Sequence, residues 1–146
     1  MSSDPTEGRR RRKSTWRDYR TAGGGRPVLD EFRKLSDAEY ADVRVEMDEV
    51  AKEGLVEARH LRGDVYEVRT DTGSGLAVRV LFAEEGKYRK VLLSLRVFKK
   101  KTTKTPKNEI DVAEDRLRDW RSRAGPSRAE APKRSVSPRP SVTKRA

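Results

Sequence analysis

The sequence predicts an α+β domain: a small antiparallel sheet, made of a short N-terminal strand and a three-stranded meander, with a helical hairpin between them and a C-terminal helix. Two observations carry this. Apolar residues recur at three- and four-residue steps from Val28 to Val50, alternate from Val65 to Phe98, and return to helical steps from Ile110 to Trp120. Short glycine-containing loops then separate the alternating runs, which makes neighbouring strands antiparallel.

Each element has its own signal. Thr15 to Arg20 reads as the first strand, with Trp16 as its anchor, and Gly23-Gly24-Gly25 ends it. Pro27 can open a helix at its first position, and Val28, Leu29, Phe32 and Leu35 then share a face. Ser36 and Glu39 form a capping box that starts a second helix, along which Tyr40, Val43, Met47 and Val50 make the apolar stripe. Gly54 is placed to end it. The strands are VYEVRT, LAVRVLFA and YRKVLLSLRVF, separated by Asp71 to Gly75 and Glu84 to Lys87. Thr105 as N-cap and Pro106 at the first helical position open the last helix, whose stripe is Ile110, Ala113, Leu117 and Trp120.

The chain has 146 residues, enough for one domain, and carries 35 Lys+Arg against 24 Asp+Glu, a net charge of +11. Such a balance speaks of anionic partners, nucleic acid first among them. With no cysteine and one histidine, a disulfide framework and a dedicated metal site are not expected, and no cofactor is implied. No apolar run suggests a membrane span or a secretion signal, so the expected location is cytoplasmic. Residues 1–13 and 122–146 are basic and nearly devoid of large apolar side chains, so they are expected to be disordered tails around a domain spanning 14–121.

The last strand runs into F-K-K-K-T-T-K-T-P-K, five lysines within Lys99 to Lys107. Pairing Val78 with Leu93 across a four-residue loop places Leu76, Val78, Val80 and Phe82 beside Val91, Leu93, Leu95 and Val97 in the core. A three-residue loop pairs Val80 with Val68 and Phe82 with Tyr66. The opposite face then holds Glu67, Arg69, Arg79, Arg96 and Lys100, an uncovered basic surface leading into the lysines. Either arginine alone could be a solvated or paired side chain. Two arginines opposed on neighbouring strands repel unless an anion offsets them, which favours a binding role. The lysines could equally protect a strand end from edge pairing. A lone histidine such as His60 is more often structural than a proton donor.

In this order the segments resemble the RelE/HigB toxins of bacterial toxin–antitoxin systems, and more closely their phage-derived, HigB-like branch. The matching pieces are G-R-P-V-L-D-E-F from Gly25, L-R-G-D-V-Y-E-V-R from Leu61, V-R-V-L-F from Val78 and F-K-K-K-T-T-K-T-P-K-N-E-I-D-V-A from Phe98. A third lysine in the Phe98 run and the two basic tails depart from the pattern. The resemblance implies a RelE-like fold and a metal-independent endoribonuclease that cuts mRNA, typically on the ribosome. It also implies a cognate antitoxin, expected to be a helix-turn-helix protein. RNA supplies the nucleophile through its 2′-hydroxyl, so the protein must supply proton transfer and cations for the phosphate. Carried over by position, Arg69 and Arg79 would clamp the scissile phosphate, and Lys100, or Lys99 in another register, would stabilise the transition state or protonate the leaving oxygen. His60, Tyr66 and Glu67 are the further candidates for proton transfer. Arg62, Arg96, Lys101, Lys104 and Lys107 are the RNA-binding candidates. Two rival readings remain: a gyrase-inhibiting toxin of the same fold, and a non-catalytic RNA- or ribosome-binding protein of phage origin.

Overall fold

A computed structural model describes residues 13–101 and 103–124. The expected tails fall outside these residues except at their inner ends, where the last helix continues to Ala124, past the expected boundary at Arg121. In chain order the elements are β1 (Thr15–Asp18), α1 (Pro27–Arg33), α2 (Asp37–Glu53), β2 (Arg59–Arg62), β3 (Val65–Asp71), β4 (Ala77–Glu85), β5 (Val91–Lys100) and α3 (Lys107–Ala124). The architecture is α+β, with the helical hairpin and the terminal helix where the pattern places them. Among the described residues no helix is long and apolar enough to cross a membrane.

The sheet has five strands in the order β1-β5-β4-β3-β2. It differs from the expected sheet twice. First, β1 pairs with β5 in parallel, so the sheet is mixed. The chain passes through the helical hairpin and three strands before it returns, which leaves room for a crossover that a tight turn would forbid. Second, Arg59–Arg62 forms an additional antiparallel edge strand on β3. This strand has only four residues and no apolar alternation, so a period-two pattern cannot reveal it.

The β3–β4 register is the expected one, with Val68 opposite Val80, Tyr66 opposite Phe82 and Arg69 opposite Arg79. The β4–β5 register is not. Val78 faces Lys99 rather than Leu93, and Val80 faces Val97. The strands stay paired out to Glu85 and Val91, and Gly86 to Lys90 make the turn. Tyr88 and Arg89 adopt left-handed backbone there, at φ 63° and 56°. A bulge between Leu81 and Phe82 then inserts Leu95 as an extra residue in β5. Side chains therefore change face along β5. Val97 shares the face of Val80, whereas Leu93 lies opposite Ala83, whose side chain is on the other face. Val91, Leu93 and Val97 do not form a single core face.

Helix α2 covers one face, where its Val43, Met47, Val50 and Ala51 are buried with Val68, Val78, Val80 and Phe82. Trp16 seals that layer, its ring 5.0 Å from Phe82 and its Nε1 donating to Met47 O at 2.9 Å. The capping box at Ser36 and Glu39 forms as the sequence reads it. Tyr40 stands at the rim, 43% exposed, edge-on to Phe32. The second face is also covered. Ala113 and Leu117 of α3 are buried on it, and ion pairs tie the helix across the sheet: Arg96 to Glu109, Arg62 to Asp111 and Glu114, and Arg121 to Glu85. The uncovered basic face that the sequence suggests does not exist as such. With layers on both sides, β4 is buried from Ala77 through Ala83.

Candidate functional site

The register decides which candidates meet. Directly opposed strand residues share a face. Arg59 opposes Glu67 on β3, Glu67 opposes Leu81, and Leu81 opposes Arg96. The next row along the strands is Arg69, Arg79 and Phe98, and the third is Asp71, Ala77 and Lys100. All lie on the α3 face. Helix α3 and Thr105 close over Glu67, Leu81 and Arg79, whereas Arg59 at the β2 edge is exposed and Arg69 and Lys100 lie beyond the start of the helix.

Arg79 is 1% exposed and Glu67 2%, which corrects the expectation that Arg79 lies outside the core. The two form an ion pair at 3.7 Å. Between them stands Thr105, whose hydroxyl donates to Glu67 Oε2 at 2.6 Å and accepts from Arg79 Nη1 at 3.4 Å. The residue expected as an N-cap therefore spends its hydroxyl on a buried charge pair. Glu67 Oε1 and Arg79 Nε have no hydrogen-bond partner among the described residues. Burial pushes the Arg79 guanidinium below its ordinary pKa, Glu67 opposes this, and the positive charges of Arg69 and Arg59 reinforce it. It stays protonated at neutral pH, as arginines do.

Arg69 is only half-buried and donates to the Thr103 carbonyl at 3.3 Å. Lys100 and Lys101 are exposed. The other candidates are separated from this group or already neutralised. His60 and Tyr66 sit on the opposite face, their rings 5.0 Å apart, with His60 Nε2 at 2.8 Å from Gly63 O. Lys99 points to that same opposite face and pairs with Glu39 at 3.1 Å. Of the two lysines left open by sequence, only Lys100 shares a face with the arginines. Arg96 is held by Glu31 and Glu109, Arg62 by Asp111 and Glu114, and Lys107 by Asp111. Lys104 is exposed on the segment leading to Thr105.

Ion pairing thus acts as a filter. Arg59, Arg69, Lys100 and Lys101 have no ion pair among the described residues, and they occupy neighbouring strand positions or continue from them. Other cations that lack such pairs include Lys34, Lys87 and Arg89 in turns, and Arg17 on β1, whose guanidinium stacks over the Trp120 ring at 5.9 Å. Excess positive charge at one end of one sheet face, above a buried Arg–Glu pair, suits a polyanion. No group of three or more His, Cys, Asp or Glu among the described residues is placed to hold a metal ion.

Residues 30–118 match the family described as phage derived protein Gp49-like. The chain belongs to that family. It is also 34% identical over 114 residues to the probable endoribonuclease HigB1 of Mycobacterium tuberculosis strain CDC 1551, an alignment covering 76% of this chain and 88% of that protein. The protein of the same name in strain H37Rv matches to the same extent. The HigB-like resemblance read from the motifs is therefore a family membership.

Sequence reasoning missed two members of the cluster in this Gp49-like chain. Arg59 was hidden because β2 has no apolar alternation. Thr105 was visible, but a threonine before proline at a helix start reads as a cap, and nothing local shows that Glu67 lies above it.

Proposed function

We propose that the chain is the toxin of a toxin–antitoxin pair, an endoribonuclease that cleaves mRNA and so stops translation. Its similarity to a probable endoribonuclease HigB1 supports the reaction class. The observation that carries the reading to particular residues is the set of cations without ion pairs, Arg69, Lys100 and Lys101, grouped beside the buried Glu67–Arg79 pair. Arg69 and Lys100 bind the scissile phosphate and offset the charge that builds on it when the 2′-hydroxyl attacks. Arg69 can exchange its single bond to the Thr103 carbonyl for a stronger, charge-assisted pair with phosphate oxygens. Arg79 supports these two cations from beneath, where its pairing with Glu67 and Thr105 fixes the strands that present Arg69. Lys100 is the group on this face that can protonate the departing 5′ oxygen, since Lys99 is committed to Glu39 on the other side.

Messenger RNA on the ribosome is the substrate, and a cognate antitoxin, a helix-turn-helix protein with an acidic segment, silences the toxin by covering these cations. The basic balance of the whole chain supports both partners. The test is single-turnover cleavage of RNA, with RNA affinity measured alongside. Arg69→Ala and Lys100→Ala should each lower the rate about 10²–10³-fold at saturating RNA, the loss usual for one preorganised transition-state donor. Wild-type rates in both variants would sink this assignment. Absence of cleavage by the wild type on free and ribosome-bound RNA would sink the nuclease reading itself and move gyrase inhibition ahead.

A further inference from the structure

Edge strand β2 carries a cation that the family motifs do not include. Arg59 lies directly opposite Glu67, so its side chain leaves the sheet on the face of Arg69, Arg79 and Lys100. Its neighbour His60 pairs with Tyr66 and goes to the other face, which fixes the alternation. Arg59 is exposed and has no ion pair among the described residues. By contrast Arg62, on the same strand and the same face, is held by two carboxylates of α3. The one carboxylate facing Arg59, Glu67, is already taken by Arg79 and Thr105. Arg59 is therefore a permanent charge with nowhere to go inside the protein.

Its position relative to Arg69 is set by the pleat. Adjacent strands are ~4.8 Å apart and each residue advances ~3.3 Å, so one strand and two residues separate the two arginine backbones by roughly 8 Å. That is comparable to the distance between successive phosphates of an extended single strand, and long arginine side chains absorb the difference. Both charges act on the same point, since each depresses the Arg79 pKa. We propose that Arg59 holds a phosphate flanking the scissile one, so that the RNA strand crosses the end of the sheet from Lys100 on β5, over Arg69 on β3, to Arg59 on the β2 edge. The proposal rests on the nuclease reading and gives it a direction. The sugar–phosphate chain runs obliquely over the sheet, three strand spacings across (roughly 14 Å) and four residues along (roughly 13 Å).

The experiment uses full-length protein and a single-stranded RNA methylated at every 2′-oxygen, which cannot be cleaved. Its affinity is measured at several salt concentrations for wild type, Arg59→Gln and Lys34→Gln, the last removing an exposed charge in the α1–α2 turn. Arg59→Gln should weaken binding several-fold and flatten the plot of log affinity against log salt by about 0.7, one phosphate contact on a single strand. On cleavable RNA, affinity should suffer more than the saturated rate. Thermal unfolding should match wild type, because the side chain is exposed. Lys34→Gln should leave the salt slope where it was. An Arg59→Gln slope and affinity equal to wild type overturn the proposal, as does a loss confined to the saturated rate. Cleavage by the wild type is scored separately, so failure of the nuclease reading cannot be mistaken for failure of the Arg59 contact.

Discussion

Arg69 and Arg79 stand directly opposite each other on β3 and β4, yet one is half-exposed and the other is among the most buried side chains of the protein. Like charges at this spacing repel. Glu67 relieves the repulsion from below, two residues away on β3, and the Thr103 carbonyl relieves it from above. The pair is thus split into a structural arginine and an available one.

The structural half predicts a stability effect. Arg79→Ala leaves Glu67 buried without its cation, which should cost about 3–5 kcal/mol. Arg79→Met combined with Glu67→Leu removes both charges and should recover most of that loss. Urea denaturation of the three proteins checks it, and equal stabilities for single and double variants would show that the pair is not coupled.

Thr105 is the bridge in that cluster. Thr105→Val keeps the volume but removes the hydroxyl, leaving Glu67 Oε2 short of a donor, so unfolding free energy should fall by about 1–3 kcal/mol. Thr105→Ser retains the hydroxyl and should stay within about 1 kcal/mol of wild type by the same reasoning.

A third prediction concerns pH. Burial pushes the Glu84 carboxyl above its usual pKa, with Arg89 and Lys90 pulling the other way. The folded state therefore holds this proton more tightly than the unfolded chain. That contribution is fully present below the ordinary glutamate value of about 4.3 and is lost as pH rises through the folded value. Glu84→Gln should consequently raise Tm at pH 7, by roughly 2–4 °C for a gain near 0.5 kcal/mol. The gain should vanish near pH 4. Equal gains at both values would place the effect elsewhere.

The start of α2 offers a simpler test. Ser36→Ala deletes the acceptor for Glu39 N–H and breaks the reciprocal cap, a loss of about 1 kcal/mol readable by thermal unfolding.

What the sequence disclosed follows from how local each signal is. The capping box, the helical stripes and the β3–β4 register depend on residues a few positions apart, and all three formed as read except at Tyr40, which stands exposed at the rim. The β4–β5 register depended on where β5 begins. Tyr88 and Arg89 look like strand residues but take left-handed backbone, and Leu95 bulges, so a count from the loop fails by more than one residue. Glu67, Arg69, Arg79, Arg96 and Lys100 do share the face expected for them, but α3 and Thr105 cover part of it and bury Arg79. A charged residue in an apolar run signals an open face only if its partner is unknown. Glu67 lies close by in sequence, but Thr105, which completes the arrangement, is brought in by a helix whose docking no local pattern reports.

The parallel pairing of Thr15–Asp18 with Val91–Ser94 also governs when the protein can become active during its own synthesis. The first strand has no neighbour in the sheet until the fifth has been made, so a long loop must close before either is rewarded. Thr105 and α3, which finish the arginine cluster, come later still. A nascent chain arrested before β5 leaves β1 unpaired, even where α2 can already pack on the β2–β3–β4 strands. Ribosomes making this protein would thus carry it in an incomplete form until almost the whole domain has been translated, a delay in which a partner could bind before the arginine cluster is assembled.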